Sequence, residues 1–261
     1  MKNKIYIIFL SVTLFILNGC NVLDIDPVDS ITQDQFWKTT DHVTAASNGL
    51  NDGIQNMTLY TSTWGDLRAD IFSQTKGNLI VQLTDAMRNT LSPATPFGDW
   101  TSIYKVIGQA NWIIKNLPSV TVLTDAQRNE FSAEAKFARA FSYFYAVRNW
   151  GDVPLVTEPY TSATQDFLQP RTPKADVLAS IEIDIEESVA NLPVSRGTVA
   201  NTKGKPTKWA ALALKTDFSL WMARVEGKPE YLQKALDAAN LLITTGGFTL
   251  VATANTVIFF R

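Results

Sequence analysis

The segment from Thr124 to Pro154 constrains the fold more than any other part of the chain. Thr124 and Gln127 have the spacing of a capping box, in which an N-cap hydroxyl and a side-chain amide three residues on satisfy each other's backbone N–H groups. Behind them Phe131, Ala135, Ala138, Ser142 and Tyr145 recur at helical spacing, and no Gly or Pro intervenes until Gly151 and Pro154. The spacing predicts one long helix to about Trp150, roughly 40 Å at 1.5 Å per residue. Gly151 is its stop residue, and Pro154 blocks continuation. A helix of that length must bury its apolar stripe against other helices.

Five more segments carry helical signals. Asp41 is placed to cap a helix bearing Val43, Ala46, Leu50 and Ile54. Asp99 is placed to cap one bearing Trp100, Ile103, Tyr104, Ile107, Ile114 and Leu117, with Pro118 beyond its end. Thr172-Pro173 fits an N-cap followed by a first-turn proline. Val177, Ile181 and Ile185 then face inward, while Glu182, Glu186 and Glu187 face water. A pair of helices follows, one from about Pro206 to Arg224 and one from Pro229 to Gly246-Gly247. Trp209, Leu212, Ala213, Leu220 and Trp221 lie on the first, and Tyr231, Ala235, Ala238 and Leu242 on the second. Small alanines opposite Trp and Tyr resemble a tetratricopeptide-type hairpin. The expected fold is mostly α, with helix hairpins stacked side by side and long irregular loops. The longest irregular stretch is 58–98, which has no clean period and holds Pro93 and Pro96.

The first twenty residues are an address. Lys2 and Lys4 precede a 13-residue apolar run, Ile5 to Leu17. At roughly 20 Å it falls short of the roughly 30 Å hydrocarbon core, so it reads as a signal-peptide core and not a membrane span. The run ends at Leu17-Asn18-Gly19-Cys20, and Cys20 is the single cysteine of the chain. An ordinary signal peptide followed by a stray cysteine is one reading. The other is that this tetrapeptide resembles a bacterial lipobox. In that reading residues 1–19 are cleaved, Cys20 is diacylated and heads the mature protein, and 20–35 form a lipidated tether to the folded region 36–261. Two or three acyl chains anchor stably where one is marginal.

Composition removes several function classes. With 23 Lys+Arg against 25 Asp+Glu, the formal net charge of −2 gives no basis for nucleic-acid binding by phosphate neutralisation. One Cys and one His leave no intrachain disulfide, multi-Cys site or His-pair metal motif. No GxSxG, P-loop or GxGxxG is present. His42 reads as a surface or satisfied histidine, and the acidic run Glu182–Glu187 as a solvated face. No catalytic residue, metal or other cofactor is expected, and the chain does not read as an enzyme.

What calls for a role is the aromatic and polar content of 58–98: Tyr60, Trp64, Asp66, Arg68, Asp70, Asn78, Arg88, Asn89 and Phe97. Flat aromatic faces stack on sugar rings, and Asp, Asn and Arg bond hydroxyls directionally. Trp64, Asp66, Arg68, Asp70, Asn78, Asn89 and Phe97 are therefore the candidate ligand residues. For Trp64 a second reading stands beside this one, in which the indole anchors the loop to the core.

Taken together, these segments resemble the SusD/RagB family of outer-membrane lipoproteins of Bacteroidota. After Cys20 comes Leu23-Asp24-Ile25-Asp26-Pro27, similar to the family's tether. Phe36-Trp37, Asp41, Ala45 and Gly49-Leu50 resemble its first helix, and Trp100, Tyr104, Ile107 and Asn111 its next. The most specific match is Glu134-Ala135-Lys136-Phe137-Ala138-Arg139-Ala140-Phe141-Ser142-Tyr143-Phe144, leading into Trp150-Gly151-Asp152-Val153-Pro154-Leu155. Ala138 and Trp150 depart from the family's usual Leu and Tyr. Arg171-Thr172-Pro173, Asn191-Leu192-Pro193 and Gly204 to Ala211 continue the match to about residue 250, with Pro206 in place of the usual Ala. Within this pattern Arg139, Tyr143, Gly151, Asp152 and Pro154 read as fold determinants.

The resemblance implies a SusD-like helical bundle on the cell surface, lipid-anchored through Cys20 in the outer membrane. Such a protein captures glycan and delivers it to a SusC/RagA-like TonB-dependent transporter. A peptide cargo of the RagB kind, or a surface scaffold that binds no small ligand, are the alternatives. Family members run to about twice this length, and the chain stops in the strand-like run Asn255 to Arg261. The expectation is an N-terminal half whose C-terminal half is missing.

Overall fold

The capping box forms as its spacing requires. Thr124 Oγ1 accepts from the Gln127 N–H at 3.2 Å, and Gln127 Oε1 accepts from the Thr124 N–H at 3.0 Å. The helix it opens runs unbroken from Asp125 to Trp150. The computed structural model describes residues 33–69, 81–95 and 97–248. Cys20 with residues 21–32 of the tether, Asp70, Asn78 and the run Asn255 to Arg261 lie outside the described residues, while the last tether residues, 33–35, fall in the first helix.

The helices are α1 (Gln33–Phe36), α2 (Thr40–Asn56), α3 (Thr58–Trp64), α4 (Val81–Met87), α5 (Thr101–Asn116), α6 (Asp125–Trp150), α7 (Lys174–Asn191), α8 (Val199–Gly204), α9 (Lys208–Arg224) and α10 (Tyr231–Thr245). Single 3₁₀ turns at Asp66–Arg68 and Leu117–Ser119 join them. The only pairing of extended backbone among the described residues is an isolated antiparallel bridge between Val153 and Thr172. The fold is mostly α, as expected. No described helix is long and apolar enough to cross a membrane.

α6 is the spine. α5 and α7 pack along two of its sides, α2 lies across α5 and α6, and α9 sits on α7 and pairs with α10. The buried face of α6 is rich in small residues, namely Ala133, Ala135, Ala138, Ala140, Ser142 and Ala146, which lets its neighbours approach. α5 contributes Ile103, Val106, Ile107, Ala110 and Ile113. Gly53 of α2 sits where a Cβ would lie 2.8 Å from Gln109 Oε1 and 3.2 Å from Val106, so α2 and α5 pack closely at this point. Between α9 and α10, Phe218 meets Tyr231 with ring centroids 6.4 Å apart, and Ala235 and Ala238 are buried behind it.

Three expected caps shift. α2 is capped by Thr39, whose hydroxyl accepts from the His42 N–H at 3.2 Å; Asp41 lies in the first turn, where a carboxylate favours the helix dipole. Trp100 holds the cap position of α5, yet Asp99 still accepts from the Thr101 N–H at 2.8 Å. α7 begins one residue later than expected, with Pro173 at the cap position and Lys174 first.

Two polar hubs lie inside the bundle. Arg139 donates from Nε and Nη2 to both oxygens of Asp184, at 2.8 and 2.9 Å, and from Nη1 to Asn111 Oδ1 at 2.8 Å. It thus ties α5, α6 and α7 together. Asp184 corrects the reading of the acidic run as a solvated face, because it is buried on the same stripe as Ile181 and Ile185. The outer acids of that run also have partners: Glu182 bonds Tyr231 and Lys234 at 2.6 and 2.7 Å, Glu186 bonds Lys215 at 2.7 Å, and Glu187 bonds Lys136. The second hub is Glu134, 1% exposed, whose carboxylate accepts from Ser47 and Asn51 of α2 and from Arg196 at 3.1 Å. Lys205 donates to Ser47 Oγ at 2.9 Å.

Candidate functional site

The end of α6 positions the loops. At Gly151 φ is +69° and ψ is −114°, a conformation open to glycine and strained for any other residue. The chain turns there, and side chains of the bundle bond several polar groups of the next few residues. Asp152 Oδ1 accepts from the Lys174 N–H at 2.8 Å and so caps α7. The Tyr143 hydroxyl accepts from the Val156 N–H at 2.7 Å and donates to the Val156 carbonyl at 2.9 Å. Tyr104 donates to the Pro154 carbonyl at 2.6 Å, and Arg171 to that of Asp152 at 2.7 Å. Burial pushes both phenols well above the ordinary tyrosine range, so they stay protonated donors. Arg139, Tyr143, Gly151, Asp152 and Pro154 therefore lie in the frame that turns the chain.

Against this frame sits the segment around Trp64. The indole is 6% exposed, and its Nε1 donates to the Phe97 carbonyl at 2.7 Å. Tyr60, Trp150 and Tyr145 surround it, with ring centroids at 5.6, 5.2 and 6.5 Å. Phe97 is 7% exposed and packs edge-on to Tyr60. Stacking platforms for a sugar were expected at Trp64 and Phe97; the structure places both rings under neighbouring side chains, the arrangement of the second reading for Trp64. The 58–98 stretch, expected to be irregular, carries α3, a 3₁₀ turn and α4.

The polar candidates that the structure describes, Asp66, Arg68 and Asn89, stay at the surface. Arg68 Nε donates to Asn89 Oδ1 at 2.8 Å, and Arg68 Nη1 to Asn149 Oδ1 at 3.3 Å. Asn89 reaches this position with a left-handed φ of +54°, which asparagine tolerates better than most residues. The Arg68 side chain separates two clefts. One, about 260 Å³, is lined by Trp64, Asn89, Leu91, Pro93, Phe97 and Trp150 among others. The other, about 510 Å³, is lined by Asp66, Tyr145, Arg148, Asn149 and Trp221. Arg148 lies over the Phe144 and Tyr145 rings at 4.2 and 4.6 Å and bonds Asp217 at 3.1 Å.

Asp66, Arg68 and Asn89 are thus brought together, Trp64 and Phe97 stand behind them, and Asp70 and Asn78 are outside the described residues. Tyr145, Arg148, Asn149, Trp150 and Trp221 were missed at the sequence level. Arg148-Asn149-Trp150 form the last turn of α6, and a polar-aromatic cluster immediately before a glycine stop was the available signal. Trp221, 71 residues on from Trp150, carried none.

Comparison with known proteins agrees with this architecture. Residues 23–220 match the family model SusD-like_3, described as starch-binding associating with outer membrane. A curated relative, SusD-like protein P38 of Formosa agariphila, is 29% identical over 251 residues, covering 94% of this chain and 47% of the relative. Among solved structures, B. fragilis NanU superposes with a TM-score of 0.75 at 26% identity, over 87% of this chain and 46% of that one. A laminarin-binding SusD-like protein shares the fold with a TM-score of 0.70 at 22% identity, over 82% of this chain and 47% of that one. The chain spans about half the length of the relatives it matches.

Proposed function

The chain belongs to the SusD-like family, starch-binding proteins that associate with the outer membrane, and on that premise we propose that it captures glycan at the cell surface and passes it to a SusC-like TonB-dependent transporter. The match over residues 23–220 carries this reading. The paired clefts around Arg68 support it, since their volumes suit sugar-sized ligands and their walls mix half-buried indoles with fixed polar groups. We place ligand contact at Arg68, Asp66 and Asn89 with Trp150 and Trp221, and give Trp64 and Phe97 the task of holding the loop. Cys20 supplies the lipid anchor, and residues 20–35 the tether to it.

Two measurements test the proposal. Titration calorimetry against a polysaccharide panel should give saturable binding to at least one glycan. Co-purification from outer membranes should recover a β-barrel transporter. Barrel recovery without binding to any glycan would favour a scaffold, and binding only to peptides would favour the peptide cargo. Labelled palmitate should enter the wild type and not Cys20→Ala; equal labelling would remove the anchor.

A further inference from the structure

Among the described residues, Arg68 is held in place by neutral groups alone. Its partners are two amide oxygens, Asn89 Oδ1 and Asn149 Oδ1, and it pairs with no carboxylate among the described residues. A guanidinium has five N–H donors in a rigid fork, so three remain for a ligand, including both on Nη2. Arg148, in the same 510 Å³ cleft, is different. It bonds Asp217 and lies in the last turn of α6, where the helix dipole already favours a cation. Arg68 stands on a separate 3₁₀ turn and has neither compensation. Asp66 is the one carboxylate in the cleft lining, against two guanidinium groups.

The neighbouring amides matter as much. A cleft built for neutral sugars would aim its Asn side chains at ligand hydroxyls. Here the Asn149 Nδ2 donates to the Tyr145 carbonyl at 2.8 Å and its Oδ1 accepts from Arg68, so the amide is fixed to its own helix and steadies the cation. Asn89 adopts a left-handed backbone to do the same.

We propose that the Arg68 cleft selects glycans bearing carboxylate groups, the uronic-acid class, by bidentate pairing of a uronate with the Arg68 fork while the sugar ring lies in the 510 Å³ cleft beside Trp221. The proposal rests on the glycan-capture reading above. The protein as a whole is net negative, −2, so long-range attraction for polyanions is absent and recognition is local.

Calorimetry of the purified protein with polygalacturonate, laminarin, a sulfated galactan and poly-glutamate tests it. Polygalacturonate should bind at least tenfold more tightly than the neutral laminarin. Arg68→Gln should abolish that preference without lowering the melting temperature, and Arg68→Lys should keep part of it, because the charge survives and the fork does not. Laminarin binding that equals or exceeds polygalacturonate binding overturns the proposal and leaves glycan capture standing. So does an undiminished preference in Arg68→Gln, or sulfated galactan bound as tightly as the uronate. Poly-glutamate bound as well as the uronate overturns it in favour of a peptide ligand, and no binding to any of the polysaccharides removes the glycan-capture reading itself.

Discussion

Asp184→Ala is the sharpest test of how the bundle is held together. The Asp184 and Arg139 side chains are 4% and 10% exposed, and the carboxylate takes two of the three hydrogen bonds the guanidinium makes. Removing it strands a cation between α5, α6 and α7 with Asn111 as its remaining partner. Breaking a buried pair from one side costs roughly 3–5 kcal/mol, because the surviving charge is desolvated without compensation. For a chain of this size that is a fall of about 6–20 °C in melting temperature, at about 2–4 °C per kcal/mol. Replacing both partners, Arg139→Met with Asp184→Leu, removes the stranded charge along with the pair. It should lie within about 2 kcal/mol of the wild type, the residue being the lost Asn111 bond and imperfect packing. Denaturant unfolding of the four proteins in a double-mutant cycle reads the difference directly. Single and double variants whose losses simply add, or an Asp184→Ala loss below about 1 kcal/mol, would show that water or a rearranged side chain relieves Arg139. The pair would then not be the joint described.

Three further outcomes follow from named contacts. Trp64→Ala should destabilise the fold by about 3–5 kcal/mol, as truncation of a buried indole does; Trp64→Phe should lose less and keep ligand affinity, and an affinity loss in Trp64→Phe with unchanged melting would return Trp64 to the ligand. Gly151→Ala has room for its Cβ but strains the backbone at φ +69°, and should cost about 1–3 kcal/mol by chemical denaturation; an unchanged midpoint would mean the turn relaxes elsewhere. At Glu182, burial alone would raise the carboxyl, but hydrogen bonds from Lys234 and Tyr231 hold it below the ordinary glutamate range. A depressed folded-state pKa stabilises above the unfolded value and is lost as pH falls through the folded one. Acid should therefore loosen α10 from α7 in the wild type, and Glu182→Gln should flatten that dependence in hydrogen exchange.

Much of the scaffold was legible because local chemistry and tertiary packing agree there. The Thr124–Gln127 box, the apolar stripe Val177-Ile181-Ile185 and the Gly151 stop each have one physical outcome, and each is found. The misreadings share a cause. Thr172 as a cap lost to Asp152, which reaches the same N–H group from 22 residues away. Asp184 looked wet because its partner lies on another helix, 45 residues back. Trp64 stood open between platform and anchor, and only the packing of Tyr60, Trp150 and Tyr145 around it shows a covered ring. Charge and aromatic residues have no period that says what they will meet, whereas apolar stripes do. The same holds for the cleft, where Arg68 was legible as a residue type but its two amide supports were not.

The Glu134 hub has a consequence for the order of folding. The heaviest packing in the bundle is neighbour against neighbour, α5 on α6, α6 on α7, α9 on α10, and such local topology folds quickly. Glu134 works against that grain, since it draws in Ser47, 87 residues away, and Ser47 in turn meets Lys205, 158 residues away in the chain. Contacts that close the longest loops form after the local ones have shortened them. α2 is therefore expected to dock as a latch on a spine already assembled, and Glu134→Gln should speed unfolding in stopped-flow traces while leaving the refolding limb nearly unchanged. A slowed refolding limb would instead place the latch in the nucleus.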